Sequence, residues 1–147
     1  MASVRERVDF YYMRVAPDAA GMIAQRIIPP GAMGRRQGER KLVFSSMMSG
    51  HDHSLPGRGL PEKIEREAEV LFEHIRQFME STGGTLDDLT NINLMVMDDA
   101  YRAAAQHEVE RMFPDPNKRP AYHILNVAPS GLRGERIQAT IAGSIAG

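Results

Sequence analysis

The sequence predicts an α+β domain, a mixed β-sheet with two helices packed on one face. Three observations carry this. A long amphipathic segment opens at Pro61, and a second follows Asp98-Asp99. Stretches alternating apolar and polar residues lie before, between and after them. Both helices therefore stand between strands, in the order β-β-α-β-α-β-β, the order of a helix layer on a sheet.

The elements follow in order. Val8, Phe10 and Tyr12 alternate with Asp9, Tyr11 and Met13, the period of a half-buried strand. Asp18 to Ile28 fits helix or strand, and Pro29-Pro30-Gly31 breaks any regular element. Leu42 to Ser46 reads as a short strand and His51 to Gly59 as a loop. Pro61 suits a first helical turn, where a missing N–H costs nothing, and Glu62 and Glu65 complement the positive end of the helix dipole. Ile64, Ala68, Leu71, Ile75, Phe78 and Met79 form one apolar stripe. Gly83-Gly84 ends that helix, because glycine accepts the left-handed conformation. Asn91 to Met97 alternates again, with Ile92, Leu94 and Val96 on one face. Asp98 or Asp99 can cap the second helix, whose inner face is Ala104, Ala105, Val109, Met112 and Phe113. Tyr122 to Val127 and Arg136 to Ala142 are the last strands, joined by a loop from Pro129 to Gly134.

A chain of 147 residues suits one domain with a modest core. It is 42% hydrophobic and 25% charged, the composition of a globular protein. The net charge is −1 with both signs interspersed, which offers no basic patch to a nucleic acid. The one basic cluster, Arg35-Arg36 with Arg40-Lys41, reads as a solvated loop. There is no cysteine, so disulfides, thiol nucleophiles and thiolate metal sites are excluded; a cytoplasmic location is compatible with this. Arg5, Glu6, Arg7 and Asp9 interrupt any signal-peptide core, and no apolar run approaches a membrane span.

Other motifs are weak. His51-Asp52-His53 has a metal-like look but lacks a third remote ligand, and a solvated loop is expected; no metal and no cofactor are predicted. Of the other histidines, His74 is expected at the boundary of the first helix, His107 lies on the second, and His123 is expected to point to the core or to another subunit. There is no phosphate-binding glycine loop and no nucleophile elbow. The ten methionines include Met47, Met48, Met95 and Met97 beside sheet segments, where they either fill the core or form a subunit interface.

The order and spacing of several short motifs resemble the Rid family (reactive intermediate deaminases, also called YjgF-type proteins). These are a strand leading to Ser-Ser-Met-Met-Ser-Gly at 45–50, Ile64-Glu65 opening a helix, Gly84-Thr85-Leu86-Asp87-Asp88-Leu89, the helix end Met112-Phe113, and Pro120-Ala121 before a strand. The likeness spans residues 31–147, leaving 1–30 as an N-terminal extension with the first strand. It implies a chorismate mutase-like α+β fold, a homotrimer whose sheets form a barrel, and small-molecule clefts between subunits. A second sheet face left bare by one helix layer agrees with such an assembly.

The resemblance also implies where the site lies. Tyr122 stands where the family has an arginine that pairs with a substrate carboxylate, and Ile124 where it has a cysteine. Met33 replaces a tyrosine and Gln138 a water-holding glutamate. Of the Ser-Gly-Gln triplet, matched here to residues 46–48, only Ser46 is kept. Tyr122, Gln138 and Ser46 are the catalytic candidates; Met33, Ile124 and Tyr122 are the ligand-binding ones. The substitutions remove one positive and one negative charge, so an uncharged, aromatic ligand is expected. The function implied is hydrolysis or deamination of a reactive nitrogen-containing metabolite, imine- or enamine-like or aromatic-derived. The alternatives are an inactive ligand-binding or regulatory trimer and a structural partner protein.

Overall fold

The computed structural model describes residues 8–11, 31–35, 40–127 and 134–146. The Asp18–Ile28 segment and most of the 129–134 loop lie outside the described residues. The strands are β1 (Val8–Tyr11), β2 (Gly31–Arg35), β3 (Arg40–Phe44), β4 (Met48–Ser49), β5 (Leu89–Val96), β6 (Ala121–Asn126) and β7 (Ile137–Ala146). The helices are α1 (Ile64–Ser81) and α2 (Arg102–Met112). All strands join one sheet in the order β1-β2-β3-β7-β5-β6, with β4 also on β7. Only β5 and β6 run parallel, so the α+β class with a mixed sheet is as the sequence predicts.

The segment from β3 to β4 runs along one side of β7 and carries a bulge. Phe44 pairs with Ala142 and Met48 with Ala139, so β3–β4 spends one residue more than its partner. Ser45 repairs the ladder there: its N–H donates to Ile141 O at 3.0 Å, and its hydroxyl accepts from Ile141 N–H at 2.9 Å. The sequence reading stops the strand at Ser46. It also misses β2, because Pro29-Pro30-Gly31 reads as a breaker. β2 and β3 pair antiparallel with Arg35 opposite Lys41, so three of the four basic residues read as loop belong to strands.

The odd-numbered residues of β7 from Ile137 to Ile145 are buried under the helices, as are Ile92, Leu94 and Val96 of β5. The apolar stripe of α1 packs on them: Ala68, Leu71, Ile75, Phe78 and Met79 are buried, and Ile64 partly so. Helix α1 starts at Ile64 rather than at Pro61. The carbonyls of Pro61 and Glu62 accept instead from Arg136 Nη2 and Nη1, at 2.6 and 3.1 Å, which holds them outside the helical turn. Thr82 caps the far end, and Gly83 follows with φ +86°, the left-handed residue the sequence predicts there. Asp98 accepts from Ala100 N–H and caps a short turn that leads into α2.

Among the described residues no helix packs on the other face of the sheet. Gln138, Thr140, Ala142 and Ser144 alternate with the buried set, joined by Asn93 and Met95 of β5 and His123 and Leu125 of β6. Phe44, Met47 and Leu125 are 49%, 40% and 50% exposed, while Met48 is core. Of the sheet methionines, Met48 thus fills the core, while Met47 is exposed. No helix among the described residues is long and apolar enough to cross a membrane.

Candidate functional site

Tyr122 and Ile124 are two apart on β6, so both side chains fall on the helix face of the sheet. Each is half-buried against the core. Helix α2 passes beside them, and between α2 and β6 lies an open hollow of about 510 Å³, lined by Asp99, Arg102, Ala103, Gln106, Tyr122 and Ile124. The structure thus brings together two of the sequence-predicted residues. The Tyr122 hydroxyl lies 3.1 Å from Gln106 Nε2 and 3.2 Å from Oε1, which fixes the ring by its tip. Gln106 Nε2 also donates to Glu110 Oε1 at 2.8 Å.

Arg102 lines the hollow beside Tyr122 and Ile124. Its Nη1 donates to Ile124 O at 2.7 Å, and its Nε to Asp99 Oδ1 at 2.9 Å. β6 ends the strand order, and this bond covers one carbonyl of an edge that would otherwise be open. The sequence reading expected no fixed charge near Tyr122, but a guanidinium and a carboxylate line the same hollow. The sequence reading weighed only positions matched to family motifs, whereas the first turn of α2 delivers its charges across the fold. A signal was present. Asp99, Arg102 and Gln106 stand at helical spacings of three and four, which put them in one row.

The remaining candidates lie elsewhere. Gln138 is on β7 and on the opposite face of the sheet, opposite Met95 and Ser49. β5 lies between β7 and β6, so the Gln138 backbone is two strand spacings, about 10 Å, from β6. Met33 lies in β2, with Val43 and Asp9 as backbone partners. Ser46 lies in the β3–β4 bulge. The strand path itself runs on through β4 to Ser49, with Gly50 and His51 after it. A Cβ on Gly50 would sit 2.1 Å from the carbonyl oxygen of Glu67, so the strand end touches α1 backbone to backbone.

His51, His53 and His74 differ from expectation. His51-Asp52-His53 is packed rather than solvated. His51 Nε2 lies 2.9 Å from Glu135 Oε1, and the His53 ring lies 5.0 Å from that of His74. Burial acts to raise the Asp52 carboxyl, but bonds from the Ser54 hydroxyl and N–H and from Arg66 outweigh it and hold it below its ordinary range. His74, expected at a boundary, is buried, and its Nδ1 lies 2.8 Å from Ser49 O. Burial pulls its pKa down, against the smaller opposing effect of that carbonyl. His123 is exposed on the bare face of the sheet, not in the core of its own subunit. Among the described residues no group of three or more His, Asp and Glu side chains could hold a metal ion.

No protein-family model and no curated sequence matches the chain. Solved structures do match. RidA from an Antarctic Psychrobacter superposes with a TM-score of 0.64 at 24% identity, covering 78% of this chain and 87% of its own. The YjgF protein of E. coli gives 0.62 at 17% identity, over 77% and 84%. E. coli TdcF, in a structure with bound serine, gives 0.63 at 14% identity, over 77% and 84%. The motifs of the sequence and the course of the backbone therefore agree, and this chain has the Rid (YjgF) fold.

Proposed function

We propose that this protein is a Rid-type small-molecule enzyme. It hydrolyses or deaminates a reactive nitrogen-containing metabolite, imine- or enamine-like, by adding water to a C–N double bond. The observation that carries the reading is the hollow at β6, where Tyr122 and Ile124 stand together under the first turn of α2. Its wall combines apolar area with neutral and charged hydrogen-bonding groups, the composition of a site for a small polar molecule. A protein of the same fold, TdcF, has been crystallised with serine bound, a ligand of that size. Tyr122 orients the ligand. Within one chain Ser46 and Gln138 do not line the hollow, and Met33 stands on β2, four strands from β6 in the sheet order; any part the three take comes from a neighbouring copy. A homotrimer with intersubunit clefts is the assembly proposed. Exposed Phe44, Met47 and Leu125 on the bare sheet face support it. The cysteine-free composition suits a reducing cytoplasm.

One observation favours a second reading, a ligand-binding trimer without chemistry. No histidine lines the hollow, and the Tyr122 hydroxyl is already bonded to Gln106. One assay separates the two readings. Imines and enamines generated in situ are offered to the full chain and ammonia release is followed. Release above the buffer rate, lost in Tyr122→Ala, supports the enzyme. Binding of the same molecules without release leaves only the binding protein.

A further inference from the structure

Arg102 is the feature of the hollow that the fold itself does not consume. Two protein acceptors, Ile124 O and Asp99 Oδ1, hold its guanidinium through Nη1 and Nε. Neither N–H of Nη2 has a partner among the described residues. The side chain is 43% exposed, and it lines the hollow together with Ile124 and Tyr122. A guanidinium already fixed at two points loses little freedom on accepting a third partner, and its planar fork matches a carboxylate. Its present ion-pair partner is easily displaced. Asp99 is 74% exposed, and such surface pairs contribute little.

We propose that Arg102 is the specificity-determining residue of this site, and that it selects ligands carrying a carboxylate on a small apolar or aromatic body. The proposal rests on the reading of the hollow as a small-molecule site. The carboxylate lies on Nη2 of Arg102, and the body lies against Ile124 and Tyr122. One guanidinium matches one negative charge, which suits a carboxylate better than a phosphate dianion beside Asp99. Asp99 competes with the ligand for the cation and sets a ceiling on affinity.

Benzoate and benzamide serve as probes, equal in shape and different in charge, measured on the full chain by ligand-observed NMR at low and high salt. Benzoate is expected to bind more tightly than benzamide, and high salt to shrink the difference. Arg102→Gln weakens benzoate about three- to five-fold and leaves benzamide unchanged, a difference in the range of an exposed ion pair. Asp99→Asn leaves the arginine in place and strengthens benzoate about two-fold; a merely structural role for Arg102 would not produce that gain. Equal binding of the two probes, or benzoate binding indifferent to both substitutions, overturns the proposal. Tyr122→Ala separates the two levels of argument. If it weakens both probes while Arg102→Gln changes neither, the small-molecule site stands and the arginine's role falls. If neither probe binds the unaltered protein, both fall.

Discussion

Glu67 and Arg136 form an ion pair at the base of α1, with Glu67 fully buried and Arg136 Nε 2.6 Å from its Oε2. The second oxygen of Glu67 accepts from the backbone N–H groups of Arg136 and Ile137, at 2.8 and 3.3 Å. Arg136 in turn reaches the carbonyls of Pro61 and Glu62 and lies 5.9 Å over the Tyr101 ring. The pair ties the entry of α1 to the start of β7, the central strand, and satisfies both partners as a buried charge requires.

Glu67→Ala is expected to lower stability by about 3 kcal/mol, because it takes the counter-charge from Arg136 and the acceptor from two backbone donors at a largely buried site. Glu67→Gln keeps an acceptor for the backbone and costs less, about 1–2 kcal/mol. Urea denaturation of both variants checks the order. Equal losses would mean that the charge contributes nothing beyond the backbone bonds.

Gly50→Ala is expected to destabilise by about 1–3 kcal/mol through overpacking. The new methyl would meet the Glu67 carbonyl oxygen at 2.1 Å, and backbone cannot move aside as a side chain can. Gly57, whose added Cβ would meet nothing within 4 Å, is the control for crowding, although its φ of +66° carries a strain of its own. Thermal melting is the measurement, and an unchanged melting temperature in Gly50→Ala would contradict the close approach.

His74 predicts how stability depends on pH. Burial lowers its pKa below the ordinary 6.5, so the unfolded chain takes up the proton first. With more protons bound in the unfolded state, stability falls as the pH drops below about 6.5 and levels off below the folded pKa. Asp52 acts lower on the scale, its contribution lost as the pH falls through its depressed pKa. His74→Asn, by removing the titrating group, should flatten the upper part of the profile. Denaturation midpoints at neutral and mildly acidic pH decide this; an unchanged slope would remove His74 as its source.

The proposed trimer predicts a particle of three times the 16.4 kDa chain. Phe44→Glu and Leu125→Glu lie on the sheet face away from α1 and α2 and should dissociate it without disturbing the monomer core, since both side chains are about half exposed in one chain. Light scattering reads the mass. A monomeric unaltered protein would remove the assembly and every intersubunit role given to Gln138, Ser46 and Met33.

The sequence by itself determined the helices and the strands that border them. The stripe from Ile64 to Met79, the alternation from Ile92 to Val96, the stop at Gly83 and the cap at Asp98 are local patterns, and each is set by residues within a turn or two. The same locality explains the errors. Strand β2 is stabilised by β3 and β1 rather than by its own Gly-Ala-Met-Gly sequence, and the β3–β4 strand continues past Ser46 only because Ser45 repairs the ladder on β7. Only the tertiary structure assembled the candidate site. Arg102 and Ile124 are 22 residues apart in sequence, and Glu67 and Arg136 are 69 apart. The contacts between them exist because α2 packs against β6, and because α1 packs over β7. Motif matching could find Tyr122 and Ile124, which share one strand. It could not find the cation beside them, because charge is placed in space by packing between elements, not by spacing along one.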